Sequence, residues 1–470
     1  MSSGTTVILG AGIIGVSTAL YLSEHQPGTT VHLVEPCPEL FASASGYAGG
    51  FLARDWFSPA TAALGALSFD EHRALAARDD GPRNWGYVRS AAVSLSRAGD
   101  KDGEEVKGDG VDVWCRDGES RAVAAAASGG DAVAAAAGAA TTPPWLRSGQ
   151  GDAVEVISEE GTVAQIDPLQ LCQHLLQKCL AAGVHLHHPA RAVAVHVDAI
   201  HGELSGVRIA AGTGSGSGAI TETDVPCTRL LIAAGAWSPQ VCAALFPGST
   251  IAALPVSSLA GHSIVVRSPR WTGTGNGAEK KKEKGNAIEE GAVSRDGDGD
   301  EGCCHAVFTT APDVPDYAPE LFSRPNGHIF VGGLNSATEP LPPLPTDARA
   351  GIRRDAIEQL RETARLLING DRPASSDGDD DLLEVVREGL CFRPATARGT
   401  PILDRVPDAW LGSGSEIKTR PGADGGVYVA AGHGPWGISQ SLGTGRVMAE
   451  MMQGRGMSAD VSALGFGGLL

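Results

Sequence analysis

Basic residues and paired cysteines are scarce in this chain. Its 37 Lys and Arg residues are outnumbered by 55 Asp and Glu residues, which gives a formal net charge of −18. An acidic surface of this kind argues against nucleic acids and anionic membranes as partners. The nine cysteines are scattered and contain no C-x-x-C pair. We therefore expect a reduced chain without a disulfide framework or a zinc module.

Long apolar runs are also absent. No stretch approaches the roughly 18 residues that a transmembrane helix needs. The first strand-like run begins at Thr6, so we expect no signal or transit peptide. The last residues, Gly468-Leu469-Leu470, do not match the S-K-L peroxisomal signal. We expect a cytoplasmic protein without a membrane span.

The chain does contain a nucleotide-binding pattern near its start. The apolar run Thr6-Val7-Ile8-Leu9 predicts a buried parallel strand, and apolar residues at helical spacing over Val16 to Ser23 predict a helix. A second apolar run, Val31-His32-Leu33-Val34, ends at Glu35. Between the first strand and the helix lies the glycine motif Gly10-Ala11-Gly12-Ile13-Ile14-Gly15.

Each part of this motif has a physical role. Gly10 allows the tight turn, Gly12 lets a pyrophosphate approach the backbone, and Gly15 lets helix and strand pack closely. The positive end of the helix dipole attracts the phosphates, and Glu35 accepts hydrogen bonds from the ribose hydroxyls. A glycine-rich turn in an ordinary α/β unit is the alternative. The strand, the helix and the acid together favour a dinucleotide, although they do not decide between NAD and FAD.

A second glycine-rich stretch follows. Ser45-Gly46-Tyr47-Ala48-Gly49-Gly50-Phe51, with Asp55-Trp56 after it, is dense in small residues that let a planar ligand lie against the backbone. Together with the first motif, it resembles the D-amino-acid oxidase, glycine oxidase and sarcosine oxidase group of FAD-dependent oxidoreductases, and most of all its fungal members. The resemblance implies that the adenosine half of FAD lies at residues 10–35 and the isoalloxazine ring along residues 45–51.

The end of the chain resembles the same family. Residues 388–403 and 426–438 match its closing motif, R-P-x-T-x-D-G-x-P-I followed by G-H-G-x-x-G, although Ala397-Arg398-Gly399 stands where an Asp is common before Gly. By resemblance, a last helix begins near Gly437 and directs its N-terminus toward the flavin. The resemblance also implies contacts with FAD at Val193 (through its backbone), Ala234, Gly235, Trp237, Cys391, Gly432, Gly434, Trp436, Gly437 and Ile438.

Alternate glycines from Gly212 to Gly218 look like a second nucleotide loop. They lie between strand-like runs at residues 206–210 and 221–225 with no helix after them, so a flexible hairpin tip is the better interpretation. Flavoenzymes that also bind NAD(P)H usually carry a second nucleotide motif. Its absence disfavours that class.

The whole pattern predicts an α/β protein of two domains, and 470 residues supply ample core for both. The first is a Rossmann-like FAD-binding domain of the glutathione-reductase type, over residues 1–84, 159–252 and 386–457. The second is a discontinuous α+β substrate domain on a mixed sheet, over residues 85–158 and 253–385. Low-complexity insertions are expected near residues 97–151 and 273–303, with an acidic loop at residues 375–381.

Other elements follow from capping and periodicity. Asp167 is expected to cap a helix that has Pro168 at its first position and ends at Gly183. Strands are predicted at residues 190–197, 261–266 and 327–334, and an amphipathic helix at Ala348 to Ile368. By resemblance to the family, residues 229–237 match the strand that returns under the flavin.

The predicted reaction is oxidation of a C–N bond in an amino acid or secondary amine, with hydride transfer to flavin N5. Such chemistry needs alignment and a deprotonated amine more than acid–base catalysis. Arg393 occupies the position where relatives that oxidise amino acids bind the substrate carboxylate, a task suited to guanidinium, although an ion pair in the turn is the alternative. Arg54 and Asp55 are weaker candidates for the pocket entrance, against plain surface charges. His433 lies beside the flavin by resemblance, or only braces its loop.

Neither a metal nor a catalytic lysine is expected. His185, His187 and His188 suggest a metal site, but alternation on a strand is the favoured interpretation. The eight lysines all lie outside the flavin-lining motifs, so reoxidation by O2 is predicted to be slow, since relatives in the sarcosine-oxidase branch use a lysine to activate oxygen.

Two alternatives stay open at this point. Cys391 has the register of the cysteine that attaches to flavin in the sarcosine-oxidase branch, but we favour non-covalent FAD and a buried thiol. A protein with the flavin fold, a mainly interaction or trafficking role and weak catalysis is the alternative to an enzyme. The sequence names neither the substrate nor the oligomeric state.

Overall fold

The computed structural model describes residues 4–96, 142–147, 149, 151–212, 220–269, 271–274, 303–309, 317–368, 383–412 and 417–467. Its α-helices in these ranges are α1 (Ile13–Ser23), α2 (Ala44–Tyr47), α3 (Ala62–Arg78), α4 (Gly81–Trp85), α5 (Pro168–Ala181), α6 (Ser238–Leu245), α7 (Arg354–Ile368) and α8 (Ser441–Gln453). The strands are β1 (Thr6–Leu9), β2 (Val31–Val34), β3 (Phe51–Ala53), β4 (Val88–Ser96), β5 (Ala153–Val156), β6 (Val163–Gln165), β7 (His185–His187), β8 (Ala190–Val197), β9 (Leu204–Ala211), β10 (Thr221–Pro226), β11 (Arg229–Ile232), β12 (Ser257–Arg267), β13 (Cys304–Thr309), β14 (Glu320–Ser323), β15 (His328–Ser336), β16 (Glu384–Ala395), β17 (Ile402–Arg405) and β18 (Gly426–Ala431).

The first sheet has the order β17-β18-β11-β1-β2-β7 and is parallel except for β17. β1 lies inside it and is buried on both faces. Ile8 packs into a core with α1, α3, α5 and α8, while Val7 and Leu9 pack into a second core with α6 and the strands β8–β10. Alternate residues of a strand face opposite layers, which explains the continuous apolar run at Val7 to Leu9.

The second sheet has the order β16-β12-β15-β14-β13-β4-β6-β3, and β5 pairs with β4 outside this path. It is mixed, since β13 runs parallel to β4 while the other pairs are antiparallel. β16 pairs with β12 from Ser257 opposite Ala395 to Arg267 opposite Glu384. The predicted Rossmann-like and mixed-sheet fold class is confirmed.

Several local predictions are confirmed by the element bounds. The Asp167 side chain accepts a hydrogen bond from the Gln170 backbone N–H at the start of α5. β8 covers the predicted residues 190–197. β9 and β10 pair antiparallel as a hairpin, while most of its predicted tip, Gly212 to Gly218, lies outside the described residues.

Two helix predictions are wrong at their starts. A 3-10 helix spans Pro345–Gly351, and the α-helix begins only at Arg354, because Ile352 adopts an extended backbone after Gly351. The last helix begins at Ser441 rather than near Gly437. The intervening residues form turns instead, and the Ser439 hydroxyl is tied to the backbone of Ala53 in β3.

Most of the two predicted insertions, residues 97–141 and 275–302, and the acidic loop at residues 375–381 lie outside the described residues. The domain boundaries remain predictions. The eight cysteines in the described ranges are all unbridged. None of the described helices combines the length and apolar character that crossing a bilayer requires.

Candidate functional site

The glycine motif forms the turn between β1 and α1. Gly10 has φ of +107°, and a Cβ there would lie 2.5 Å from the Ala233 carbonyl oxygen. A Cβ at Gly15 would collide with the Gly10 carbonyl, so helix and strand approach as closely as glycine permits. At Gly12, by contrast, the sole atom that a Cβ would meet within 4 Å is Ser45 Oγ, at 3.1 Å. The missing side chain at Gly12 therefore leaves room above the turn.

Polar groups converge on this space. Ser45 Oγ accepts a hydrogen bond from the Ile13 N–H at 3.0 Å, in the first turn of α1. The Glu35 carboxylate accepts from the N–H groups of Ala11 and Cys37, both at 3.0 Å. Burial raises the pKa of Glu35, and these two hydrogen bonds oppose the rise. Glu35 is thus an acceptor that the backbone holds at the end of β2.

A cavity of about 380 Å³ opens from this turn, and its walls are mostly apolar. Its size and lining are typical of a small-molecule or cofactor site. Most of the site residues predicted from sequence line it: Gly10, Gly12, Ile13, Ile14, Glu35, Ser45, Ala234, Gly235, Trp237, Cys391, Arg393, His433, Gly434, Gly437 and Ile438.

Other predicted residues lie behind the cavity wall. They are Ala11, Gly15, Gly46, Gly49, Gly50, Phe51, Gly432 and Trp436. Gly49 and Gly50 serve packing, because a Cβ at Gly49 would enter the Phe322 ring and Gly50 has φ of +93° beside Gln165. Phe51 lies in an aromatic cluster, with its ring centroid 5.1 Å from Trp56 and 5.4 Å from Phe308.

Val193 does not line the cavity, but its neighbours Arg191 and Ala192 do. The pairing of β8 with β9 shifts between Ala192 and Ala194, which places Val193 at a β-bulge. The extra residue of a bulge is left out of the ladder. This geometry is compatible with the expected backbone contact at Val193.

Arg393 extends from β16 across the sheet. A Cβ at Gly261 would lie 2.7 Å from its guanidinium, so glycine is needed there for the side chain to pass. The guanidinium donates to the Asn335 side-chain oxygen on β15. This contact fixes the direction of the Arg393 side chain at the cavity wall.

His433 and Cys391 are both buried in the wall. Burial lowers the pKa of His433 to about 3, and its Nε2 lies 3.1 Å from Thr444 Oγ1 on α8. A neutral imidazole in this position braces the loop after β18. Burial also raises the pKa of the Cys391 thiol, although Arg393 and Arg387 act in the opposite direction.

Arg54 lies apart from the cavity. Its guanidinium is exposed and pairs with Asp70 at 3.4 Å, which favours the surface-charge interpretation. Lys178 and Lys418, the lysines in the described ranges, do not line the cavity either. His185 and His187 alternate on β7, and the described residues contain no group of side chains arranged to hold a metal ion.

The family model described as "DAO: FAD dependent oxidoreductase" matches residues 5–451. The chain belongs to this family. The resemblance found in its motifs is thereby confirmed, and the protein is an FAD-dependent oxidoreductase.

Individual proteins also match over nearly the whole chain. A Schizosaccharomyces pombe protein named as an oxidoreductase is 24% identical over 475 residues, covering 98% of each chain. Glycine oxidase from Geobacillus kaustophilus has a TM-score of 0.60 at 17% identity, with 98% of each chain covered. NikD, an amino acid oxidase of nikkomycin biosynthesis, has a TM-score of 0.61 at 15% identity, with 99% of this chain and 98% of NikD covered. These two structures show that the fold is shared.

The cavity fits the FAD of the DAO family. The open space at Gly12 and the N-terminus of α1 would hold the pyrophosphate, and Glu35 would accept from the ribose. Apolar walls formed by residues such as Ile13, Trp237 and Ile438 would enclose the rings.

Part of the cavity wall was not predicted from sequence. Pro343, Leu344 and Pro345 line it, and Trp237 Nε1 donates to the Pro342 carbonyl at 2.7 Å beside them. A proline-rich run at residues 340–345 was visible, but nothing local connects it with a cavity built by the first 50 residues. Arg191 and Gln240 were missed for the same reason, and Glu39 was missed because it lies between the two glycine-rich stretches and belongs to neither.

Proposed function

We propose that this oxidoreductase oxidises the C–N bond of a small amino acid or secondary amine that carries a carboxylate. The observation that carries the proposal is Arg393, a guanidinium in the wall of the FAD cavity that neutral Asn335 orients. Guanidinium binds a carboxylate through two parallel hydrogen bonds, which fixes the substrate's orientation as well as its charge. That glycine oxidase and NikD share the fold supports the same substrate class.

Bound FAD would supply the acceptor for a hydride from the carbon next to nitrogen, and water then hydrolyses the resulting imine to a carbonyl compound and an amine. The residues of the protein itself contribute by aligning the substrate. Arg393 would hold the carboxylate, and the apolar walls would exclude water from the reacting carbon. His433 is neutral above about pH 3 and lies 3.1 Å from Thr444, so it braces the site without carrying charge.

The test is anaerobic reduction of the bound flavin. Amino acids, N-methyl amino acids and matched amines without the carboxylate are mixed with the FAD-loaded protein, and the loss of yellow colour is followed. We expect bleaching by at least one carboxylate-bearing substrate and much slower bleaching by its decarboxylated analogue. A flavin that no member reduces would overturn the proposal and favour the interaction or trafficking role.

Arg393→Ala probes the anchor directly. Loss of a charge-assisted bidentate contact of about 2–4 kcal/mol corresponds to a rise in KM of roughly 30- to 1,000-fold. Arg191→Ala removes another arginine from the wall of the same cavity and is the matched control. KM for the substrate is measured at saturating FAD. If the two variants raise KM equally, Arg393 is not the specific anchor of the carboxylate.

A further inference from the structure

The segment 43–50 contributes four residues to one wall of the FAD cavity, and we call it the cavity-wall segment. Ser43, Ala44, Ser45 and Ala48 line the cavity. The segment contains α2, which has only four residues. So short a helix cannot satisfy its own C-terminal carbonyl groups, and these need donors from elsewhere.

Three side chains supply those donors. Arg324 donates to the carbonyls of Ala48 and Gly49 at 3.2 and 3.4 Å. Gln165 Nε2 donates to the Gly49 carbonyl at 2.8 Å, and Arg387 donates to the Gly46 carbonyl at 3.0 Å. None of the three donors lines the cavity, so they hold the segment from outside the cavity wall.

These donors all come from the second sheet. Gln165 ends β6, Arg324 directly follows β14, and Arg387 is on β16. The Arg387 guanidinium also lies 4.8 Å from the centre of the Tyr47 ring. A Cβ at Gly389 would lie 2.6 Å from that ring, so the strand makes room for the segment. The second sheet thereby fixes a wall of a site whose glycine motif belongs to the first sheet.

Burial makes these contacts costly to lose. Arg324 is 3% exposed and Gln165 is fully buried. Burial lowers the pKa of Arg324 to about 10, and Asp167 opposes that shift from 3.1 Å, so the guanidinium is charged at neutral pH. Burial also lowers the pKa of Arg387. Arg324 and the partly buried Arg387 thus place two cations on three carbonyls of the segment, and removing either guanidinium takes a hydrogen-bond donor from at least one of them.

We propose that Arg324 and Arg387 are positioning residues for FAD. By holding the carbonyls of Gly46, Ala48 and Gly49, they fix the wall against which the cofactor lies. Without either guanidinium, a carbonyl of the segment loses its donor, and the segment shifts to find another hydrogen-bond partner. The cofactor then meets a displaced wall.

The test compares Arg324→Gln and Arg387→Gln with a control, Arg398→Gln. Arg398 is a partly buried arginine that donates to the carbonyls of Pro401, Leu464 and Gly465, and it does not line the cavity. Apoprotein of each variant is titrated with FAD by quenching of flavin fluorescence. Melting of the apoprotein and visible circular dichroism of the bound flavin are measured in parallel.

We expect both cavity-wall variants to weaken FAD binding by about tenfold or more and to change the flavin dichroism. Arg398→Gln should lower the melting temperature while leaving the FAD dissociation constant within about twofold of the parent. Arg324→Lys and Arg387→Lys keep the positive charge but lose the planar guanidinium with its several donors. Their FAD dissociation constants should therefore lie between those of the parent and the Gln variants. If Arg324→Gln does not fold, Arg387→Gln decides the question. Parental affinity and dichroism in folded variants would overturn the proposal.

Discussion

Gly12 has no side chain, and this leaves space above the turn between β1 and α1. A valine side chain there would occupy the space above the turn, beginning with a Cβ 3.1 Å from Ser45 Oγ, while the backbone φ stays in an ordinary region. We predict that Gly12→Val yields a folded, colourless protein, because the pyrophosphate loses its approach. Gly456→Val is the control, since a Cβ at Gly456 meets nothing within 4 Å. The flavin content of both purified variants is measured from their absorbance. A yellow Gly12→Val protein would refute the placement of the pyrophosphate at Gly12.

Cys391 bears on how FAD is attached. The thiolate is the nucleophile in flavinylation, and burial raises the pKa of this thiol despite Arg393 and Arg387 nearby. We therefore predict non-covalent FAD. After acid precipitation, the yellow colour should stay in the supernatant for the parent, for Cys391→Ala and for Cys37→Ala, a second cysteine in the cavity wall. Fluorescence that follows the protein and is lost only in Cys391→Ala would contradict this.

Among the contacts between secondary-structure elements, the Asp79 carboxylate at the end of α3 forms ion pairs with α5. Its carboxylate lies 2.7 Å from Lys178 and 3.1 Å from His174 on α5, and 3.0 Å from Arg78. Partial burial raises the pKa of Asp79, but these donors outweigh it and lower the pKa to about 2, from 3.8. The stabilisation is therefore full above pH 3.8 and is lost as pH falls toward 2.

Asp79→Asn should lower the free energy of unfolding by about 1–2 kcal/mol at pH 7, since screening of the accessible Lys178 and Arg78 reduces the ideal value. The deficit relative to the parent should shrink below pH 4. Asp70→Asn, which breaks exposed ion pairs at the same helix, is the control and should cost under about 0.5 kcal/mol. Urea unfolding at pH 7 and pH 3 measures the free energy of unfolding of both variants and the parent. If the loss in Asp79→Asn is the same at the two pH values, the ion pairs of Asp79 do not stabilise the fold.

The sequence could predict those elements whose ends are determined by nearby residues. Asp167 and Pro168 mark a helix start by their own chemistry, and Gly10 marks a turn that needs positive φ. The starts of α7 and α8 were misplaced because tertiary contacts, such as Ser439 with β3, decide them. Arg324, Gln165 and Arg387 carry no local signal at all, since their partners at residues 46–49 lie more than 100 positions away.

On the scale of the whole molecule, buried neutral histidines set the response to acid. Burial lowers the pKa of His433 to about 3 and of His72 to about 4, and partial burial together with the neighbouring His187 and His185 lowers the pKa of His32 to about 4. These three side chains take up protons near pH 6.5 in the unfolded chain but not in the folded one, so the stability they contribute is full above pH 6.5 and falls between pH 6.5 and 4.

We predict that the melting temperature falls steadily over this window, with uptake of about one proton per buried histidine on unfolding. His72→Gln should flatten the slope, because it removes one of these groups while a side-chain amide can still donate toward the Ile438 carbonyl. His201→Gln, at a side chain 68% exposed, serves as the control. A melting temperature that is constant from pH 6.5 to 4 would refute the prediction.

The position of β18 in the first sheet has a consequence for biosynthesis. β18 pairs with β11, and the residues after it close the FAD cavity, yet it is made some 420 residues after β1. A ribosome-bound chain that has completed β11 therefore presents an open sheet edge and an unfinished cavity for about 190 further residues of synthesis. The cavity can therefore enclose FAD only after β18 and the residues that follow it have been synthesised. Until then the nascent chain must keep the edge of β11 from pairing with other chains without help from the cofactor.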